Sequence, residues 1–67
     1  MARYAIALKD YDEHGNSATA YWYTRAGDTD NYSYDVADAT TFSVKGAARC
    51  LMRALNLDED EHFVEEV

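Results

Sequence analysis

The stretch SVKGAARCLMRALN, Ser43 to Asn56, has helical periodicity and decides the fold class. Its apolar residues recur every three or four positions, which is typical of an amphipathic helix with one buried stripe. The predicted stripe consists of Val44, Ala47, Ala48, Leu51 and Leu55, widened by Met52 and Ala54. We expect the hydroxyl of Ser43 to cap the first turn and Asn56 to end the helix. Gly46 lowers helix stability by about 1 kcal/mol relative to alanine; a close approach to a neighbouring sheet is one reason for a glycine there.

The residues before this helix have the period of two that is typical of β-strands. Arg3 to Lys9 alternates in this way, and Ala18 to Arg25 is rich in strand-forming residues. A third, shorter strand is predicted from Tyr32 to Val36. The intervening segments, DYDEHGNS and AGDTDN, have the composition of turns. Three strands joined by short loops predict an antiparallel meander. Residues 37–42 are interpreted as a turn of helix or an irregular link, with Phe42 packed inward.

After the helix comes LDEDEHFVEEV, Leu57 to Val67, in which apolar residues stand among six acids. A fourth strand from His62 to Val67, a helical turn and an unstructured end are all compatible with this composition. We favour the strand, with Phe63 and Val67 on one face, because three apolar residues in this segment indicate that it docks. The predicted fold is therefore α+β, a three- or four-stranded antiparallel sheet (β-β-β-α-(β)) with one helix packed on one face.

One helix can cover only one face of such a sheet, so the other face is expected to meet water or a partner. Trp22 falls on one face of the second strand, and Tyr21 and Tyr23 fall on the other. Ala5 and Ala7 are candidates for the same uncovered face. Tyrosine and tryptophan are favoured anchors of protein interfaces, although some of these aromatic residues must also form the core.

Size and charge bound the possible functions. The 67 residues are sufficient for one domain, residues 1–67, and the net charge is −7. This charge argues against a free nucleic-acid binder, because such proteins neutralise phosphates with lysine and arginine, and it also argues against an anionic membrane as partner. A basic protein surface is the complementary partner. There is no apolar run suited to a signal peptide or a membrane span, and Cys50 is the only cysteine, so a cytoplasmic protein is expected.

The sequence predicts no catalytic, cofactor or metal site. The segment DYDEHG places His14 at the fifth position of a calcium loop, where an oxygen ligand is required. His14, Cys50 and His62 lack the paired spacing of transition-metal ligands. The acids fall in loops, at strand edges and in the last segment rather than in a pocket that could tune a general acid or base. We therefore expect a protein that is not an enzyme.

The charges are arranged in groups. Lys45, Arg49 and Arg53 are four residues apart and should form a basic row on the exposed side of the helix. This row could hold part of the acidic last segment, but three bases cannot neutralise six acids. The residues predicted to contact a partner are Asp10, Asp12, Glu13, Asp28, Asp30, Asp58, Glu59, Asp60, Glu61, Glu65, Glu66, Tyr21 and Tyr23.

The order of elements also carries a resemblance. Short aromatic strands precede an Ala-x-x-Phe turn, Ala39 to Phe42, and a helix that begins Ser-Val-Lys-Gly-Ala-Ala at Ser43. This order resembles small proteins of phages and other mobile elements. Among these, the small acidic ones that are not enzymes resemble anti-CRISPR proteins and other DNA-mimicking inhibitors. The resemblance implies a partner with a basic nucleic-acid-binding groove, such as a CRISPR effector subunit in a bacterial host cell. The other hypothesis is a structural or adaptor module, a monomer or homodimer that docks through its uncovered aromatic sheet face.

Overall fold

The computed structural model describes residues 2–25 and 28–67, and the side chains of residues 2–24 and 31–67. Two longer strands open the fold, and a helix lies between two later strands. The elements are β1 (Tyr4–Tyr11), β2 (Ser17–Arg25), β3 (Asp28–Ser33), a 3₁₀ turn (Val36–Asp38), β4 (Thr41–Phe42), α1 (Lys45–Ala54) and β5 (His62–Glu66). The α+β class, the antiparallel sheet and the single helix on one face are confirmed.

β1 is the central strand of the sheet, and all of its pairings are antiparallel. Ala7 pairs with both Tyr21 of β2 and Phe63 of β5, so β2 and β5 lie on opposite edges of β1. Ala5 pairs with both Thr41 of β4 and Glu65 of β5. β4 therefore shares one edge of β1 with β2, and β5 has the other edge to itself. β3 continues the sheet beyond β2.

The core lies between the sheet and α1. Ile6 and Trp22 contribute from the sheet, and Ala48 and Met52 contribute from the helix. Partly buried apolar side chains pack around these four: Tyr32, Phe42, Leu51, Leu55, Leu57 and Val64. The predicted inward packing of Phe42 is thus confirmed.

The helix is shorter at its beginning than predicted. α1 begins at Lys45, and Val44, its N-cap, makes no side-chain capping hydrogen bond, so the predicted cap by Ser43 is wrong. β4 holds Thr41 and Phe42 extended, and the next two residues serve as the bend from strand to helix. Val44 is consequently 58% exposed instead of belonging to the buried stripe.

The predicted end of the helix is confirmed at Asn56. This residue has a φ of 59°, the left-handed conformation that asparagine tolerates after a helix. Its N–H donates to the carbonyl of Arg53, and the N–H of Leu57 donates to the carbonyl of Met52. These two bonds form the Schellman motif, and Leu57 packs against the core cluster to which Met52 belongs.

The third strand is displaced from its predicted position. β3 covers Asp28 to Ser33, so the predicted loop residues 28–31 are in a strand, whereas Tyr34 to Val36 are not. Asp35 accepts a hydrogen bond from the N–H of Ala37 and caps the 3₁₀ turn, which ends the extended segment. The remainder of the predicted loop, residues 26 and 27, lies outside the described residues.

Ala5 and Ala7 are fully buried, although they lie on the sheet face that α1 does not cover. The expectation that they face water or a partner is therefore wrong. The physical reason is a side-chain pair that crosses β1 beside them. The hydroxyl of Tyr21 on β2 donates to Glu65 Oε2 on β5 at 2.7 Å, and alanine is small enough to lie beneath this pair.

Candidate functional site

The strand register brings two acidic segments to the same end of the sheet. The β1–β2 hairpin carries Asp10, Asp12 and Glu13, and the α1–β5 connection carries residues 58–61, all acidic. The N–H of Lys9, at the end of β1, donates to the carbonyl of Glu61 at 2.8 Å. Segments almost fifty positions apart in sequence are thereby neighbours. We call these seven acidic residues the acidic end.

Two of the three hairpin acids, Asp10 and Asp12, are held in place by hydrogen bonds. Asp12 Oδ1 accepts the N–H groups of His14 and Asn16, each at 2.9 Å, which fixes the turn. Asp10 Oδ2 accepts the hydroxyl of Tyr34 at 2.6 Å. That bond, together with one from the N–H of Tyr11, lowers the pKa of Asp10 below its ordinary value, so the carboxylate stays charged.

The connection between α1 and β5 is ordered in the same way. The side chain of Asp58 accepts the N–H of Asp60 at 2.9 Å, and its carbonyl accepts the N–H of His62 at 2.8 Å. Glu59 lies 3.4 Å from Arg53 Nε in an exposed ion pair. Asp60 and Glu61 are exposed. The acidic end is therefore an array of carboxylates on two ordered turns.

His62 anchors the start of β5 and is 9% exposed. Its Nδ1 lies 2.9 Å from the carbonyl oxygen of Asp58, which can only accept, so Nδ1 is the donor in this pair. Its Nε2 lies 2.7 Å from the hydroxyl of Tyr32 on β3. Ala20, which is 2% exposed, lies in the sheet between β3 and β5, the strands that carry Tyr32 and His62. Sequence reasoning considered His62 only as a metal ligand and missed this role. Its position among acids at the start of an apolar segment was the one available signal.

β5 docks through different residues from those predicted. His62 and Val64 face the helix side, whereas Phe63 and Glu65 face the opposite side. Val67 is 43% exposed. The strand from His62 is confirmed, and its apolar anchor against the core is Val64.

The other predicted contact residues are distributed elsewhere. Glu65 is engaged by Tyr21, and Tyr23 is half-buried on the same sheet face. Glu66 is exposed beside Tyr4, at the end of β1 that is distant from the acidic end. The side chains of Asp28 and Asp30 lie outside the described residues.

A groove of about 330 Å³ lies between α1 and β5. Its floor includes Met52 and Val64, and the basic row, Lys45, Arg49 and Arg53, lines it together with Glu59, His62 and Phe63. In the described part of the chain, Arg53 is the only member of the row with an ion pair. Sequence reasoning predicted the basic row but not the groove beside it.

Within residues 2–24 and 31–67, whose side chains the structure describes, no three His, Cys, Asp or Glu side chains are placed to hold a metal ion. Nor does that part of the chain contain a helix with the length and apolarity needed to cross a membrane. Comparison of the chain with models of protein families, with curated proteins and with solved structures gives no match.

Proposed function

We propose that this chain is a small acidic inhibitor, not an enzyme, that binds a basic nucleic-acid-binding surface of a bacterial defence complex. A CRISPR effector subunit is the partner that the resemblance suggests. The observation that carries the proposal is the register of β1 with β5, which gathers two separate acidic segments at one end of the sheet. The protein would block DNA by occupying its site, sterically or as a phosphate mimic.

The chemistry of the acidic end suits this role. In the described part of the chain, Glu59 is the only one of its seven carboxylates with a lysine or arginine ion pair, so most of the charge has no such compensation there. The hydrogen bonds of Asp10, Asp12 and Asp58 fix the turns before any partner arrives. An array that is ordered in advance loses less conformational entropy on binding than a flexible acidic tail would lose. The electrostatic field of the acidic end also accelerates its encounter with the basic groove of a partner.

The test is competition between this protein and target DNA for a CRISPR effector complex. The double variant Asp60→Asn, Glu61→Gln removes two exposed charges from the acidic end without cutting a side-chain contact that the fold uses. We expect inhibition to weaken by about tenfold or more, and to weaken further as salt increases. Glu66→Gln is the matched control, because Glu66 is also exposed but lies at the other end of β1.

Two results would overturn the proposal. In the first, the protein captures no nucleic-acid-binding complex, or captures one and leaves its DNA binding unchanged. In the second, Glu66→Gln impairs inhibition as much as the double variant does, which would mean that net charge matters and the acidic end does not.

The second candidate function is a structural or adaptor module that associates through the sheet face opposite α1. The observation in its favour is that Tyr21, Tyr23 and Phe63, all only partly buried, share this face. Such an interface would be apolar, so self-association should persist at high salt and be lost in Phe63→Ser. Sedimentation at low and high salt distinguishes it from the acidic inhibitor.

A further inference from the structure

β5 has one edge that no other described strand covers. The bonds from Lys9 N–H to Glu61 and from Val67 N–H to Arg3 bracket its pairing with β1. Hydrogen bonding alternates along an antiparallel pair, so odd-numbered residues of β5 direct their N–H and C=O groups to β1. Val64 and Glu66 therefore direct theirs outward, away from the sheet. Such an edge can template another strand.

The open edge borders the groove between α1 and β5, which the basic row lines. Lys45 and Arg49 line the groove with Val64, and neither makes an ion pair within the described part of the chain. Arg53, at the end near Glu59, is already paired. The groove is thus a positive site on a chain whose net charge is −7. It faces the edge of β5, where the outward N–H and C=O groups of Val64 and Glu66 pair with no described strand.

We propose that this groove binds an extended acidic segment of a partner protein, which adds to β5 as a further strand. The main chain of the segment pairs with the outward N–H and C=O groups of Val64 and Glu66. Its acidic side chains on the helix side contact Lys45 and Arg49. Strand addition of this kind takes affinity from the main chain and specificity from alternate side chains. The groove meets the acidic end at Glu59, which is paired with Arg53, but the inference does not depend on the function proposed for the acidic end.

The spacing of the two elements defines the preferred sequence. Residues four apart on a helix are about 6 Å apart along its axis. Alternate side chains of a strand are about 6.6–6.8 Å apart. Acidic residues at every second position therefore match the basic row, whereas consecutive acids would point half of their carboxylates away from it.

A second copy of this chain fits the groove less well. A two-fold pairing of β5 with β5 would keep both helices on one face of the joined sheet. The two basic rows would then face each other across a single cleft, and like charges repel. Charge complementarity selects a different, acidic strand.

The experiment uses two end-blocked octapeptides of equal composition, one with Thr and Glu alternating and one with four consecutive Glu residues. Binding to the isotope-labelled protein is followed by NMR. We expect the alternating peptide to bind at least about fivefold more tightly. It should shift the amide signals of Val64 and Glu66 and slow their hydrogen exchange.

Charge-reversal variants test the cation contact. Arg49→Glu should weaken the binding of the alternating peptide by about tenfold or more. Lys9→Glu, the matched control, reverses an exposed charge on β1 outside the groove and should change affinity by less than about twofold. Circular dichroism checks that both variants retain the fold.

Several results would overturn the inference. Equal binding of the two peptides would show attraction by charge without strand addition. Unchanged amide signals at Val64 and Glu66 would mean that the peptide binds elsewhere. Unchanged affinity of the Arg49→Glu variant would mean that the basic row does not contact the peptide. Self-association that depends on the β5 edge would make a second copy the occupant.

Discussion

At the scale of single residues, the phenol of Tyr21 links folding to pH. The hydrogen bond to Glu65, with burial and the carboxylate charge acting in the same direction, raises the pKa of Tyr21 above its ordinary value of about 10. The bond to Asp10 raises the pKa of Tyr34 in the same way. A raised pKa means that the folded state favours the protonated phenol. The stabilisation that each phenol hydrogen bond gives to the folded state is complete below a pH of about 10. It is lost as the pH rises through the folded-state pKa of that phenol.

We therefore expect Tyr21→Phe to lower the free energy of unfolding by about 1 kcal/mol at neutral pH. Above a pH of about 10, the variant should lose stability less steeply than the parent protein. Urea unfolding across this pH range measures both effects. Tyr11→Phe is the control, because Tyr11 is 67% exposed and its hydroxyl makes no hydrogen bond in the described part of the chain. An alkaline slope that stays unchanged in Tyr21→Phe would refute the role of this bond.

At the scale of elements, α1 contains a glycine that its packing does not require. A methyl group added at Gly46 would meet no atom within 4 Å, so the glycine does not serve a close approach of the helix to the sheet. Gly46→Ala should raise the free energy of unfolding by about 0.5–1 kcal/mol, because alanine loses less backbone entropy in a helix. Chemical denaturation followed by circular dichroism measures the gain.

The matched control for this prediction is Gly15→Ala in the β1–β2 hairpin. There an added methyl group also meets nothing within 4 Å, but the backbone has a φ of 82°, which alanine adopts with strain. The control should therefore lose stability where Gly46→Ala gains it. A loss in both variants would mean that α1 needs a glycine for a reason other than space.

The elements also show how far the sequence predicts this fold. β1 and α1 follow from their apolar periods, β2 follows from its strand-forming residues, and the end of α1 follows from Asn56. The sequence misplaces β3 because its first residues, Asp28 to Asn31, are polar and belong to the sheet only through their pairing with β2. β4, two residues long, has no period to detect. These elements depend on tertiary pairing, which outweighs local propensity.

The candidate site was predictable only in part for the same reason. Composition predicts the acidic character of both turns and the basic row of α1. It does not predict that Glu61 lies beside Lys9, because the register between β1 and β5 is fixed by burial of Val64 and His62 in three dimensions. The groove and the Tyr32–His62 hydrogen bond follow from that register as well.

At the scale of the whole molecule, the net charge of −7 opposes the compact state. Increasing NaCl from about 10 mM to about 150 mM shortens the Debye length from about 30 Å to about 8 Å. We expect the melting temperature to rise by about 2–4 °C over this range, equivalent to about 0.5 kcal/mol. Thermal unfolding followed by circular dichroism measures the change.

The variant with Asp60→Asn and Glu61→Gln supplies the comparison for this prediction. With two charges removed from the acidic end, it should melt at a higher temperature in low salt and respond less to added NaCl. A melting temperature that falls as salt increases would instead mean that attractive pairs, such as Arg53 with Glu59, dominate the electrostatics of the fold.

The position of β5 beside β1 has a kinetic consequence. Leu8 pairs with His62 and Tyr4 with Glu66, so these contacts close almost the whole length of the chain. Contacts between distant residues form slowly, because the entropy of closing a long loop is lost before the contact stabilises it. The β1–β2 hairpin can form first from residues close in sequence. The acidic end and the groove between α1 and β5 both need β5 in place, so we expect these two surfaces to form later than the hairpin.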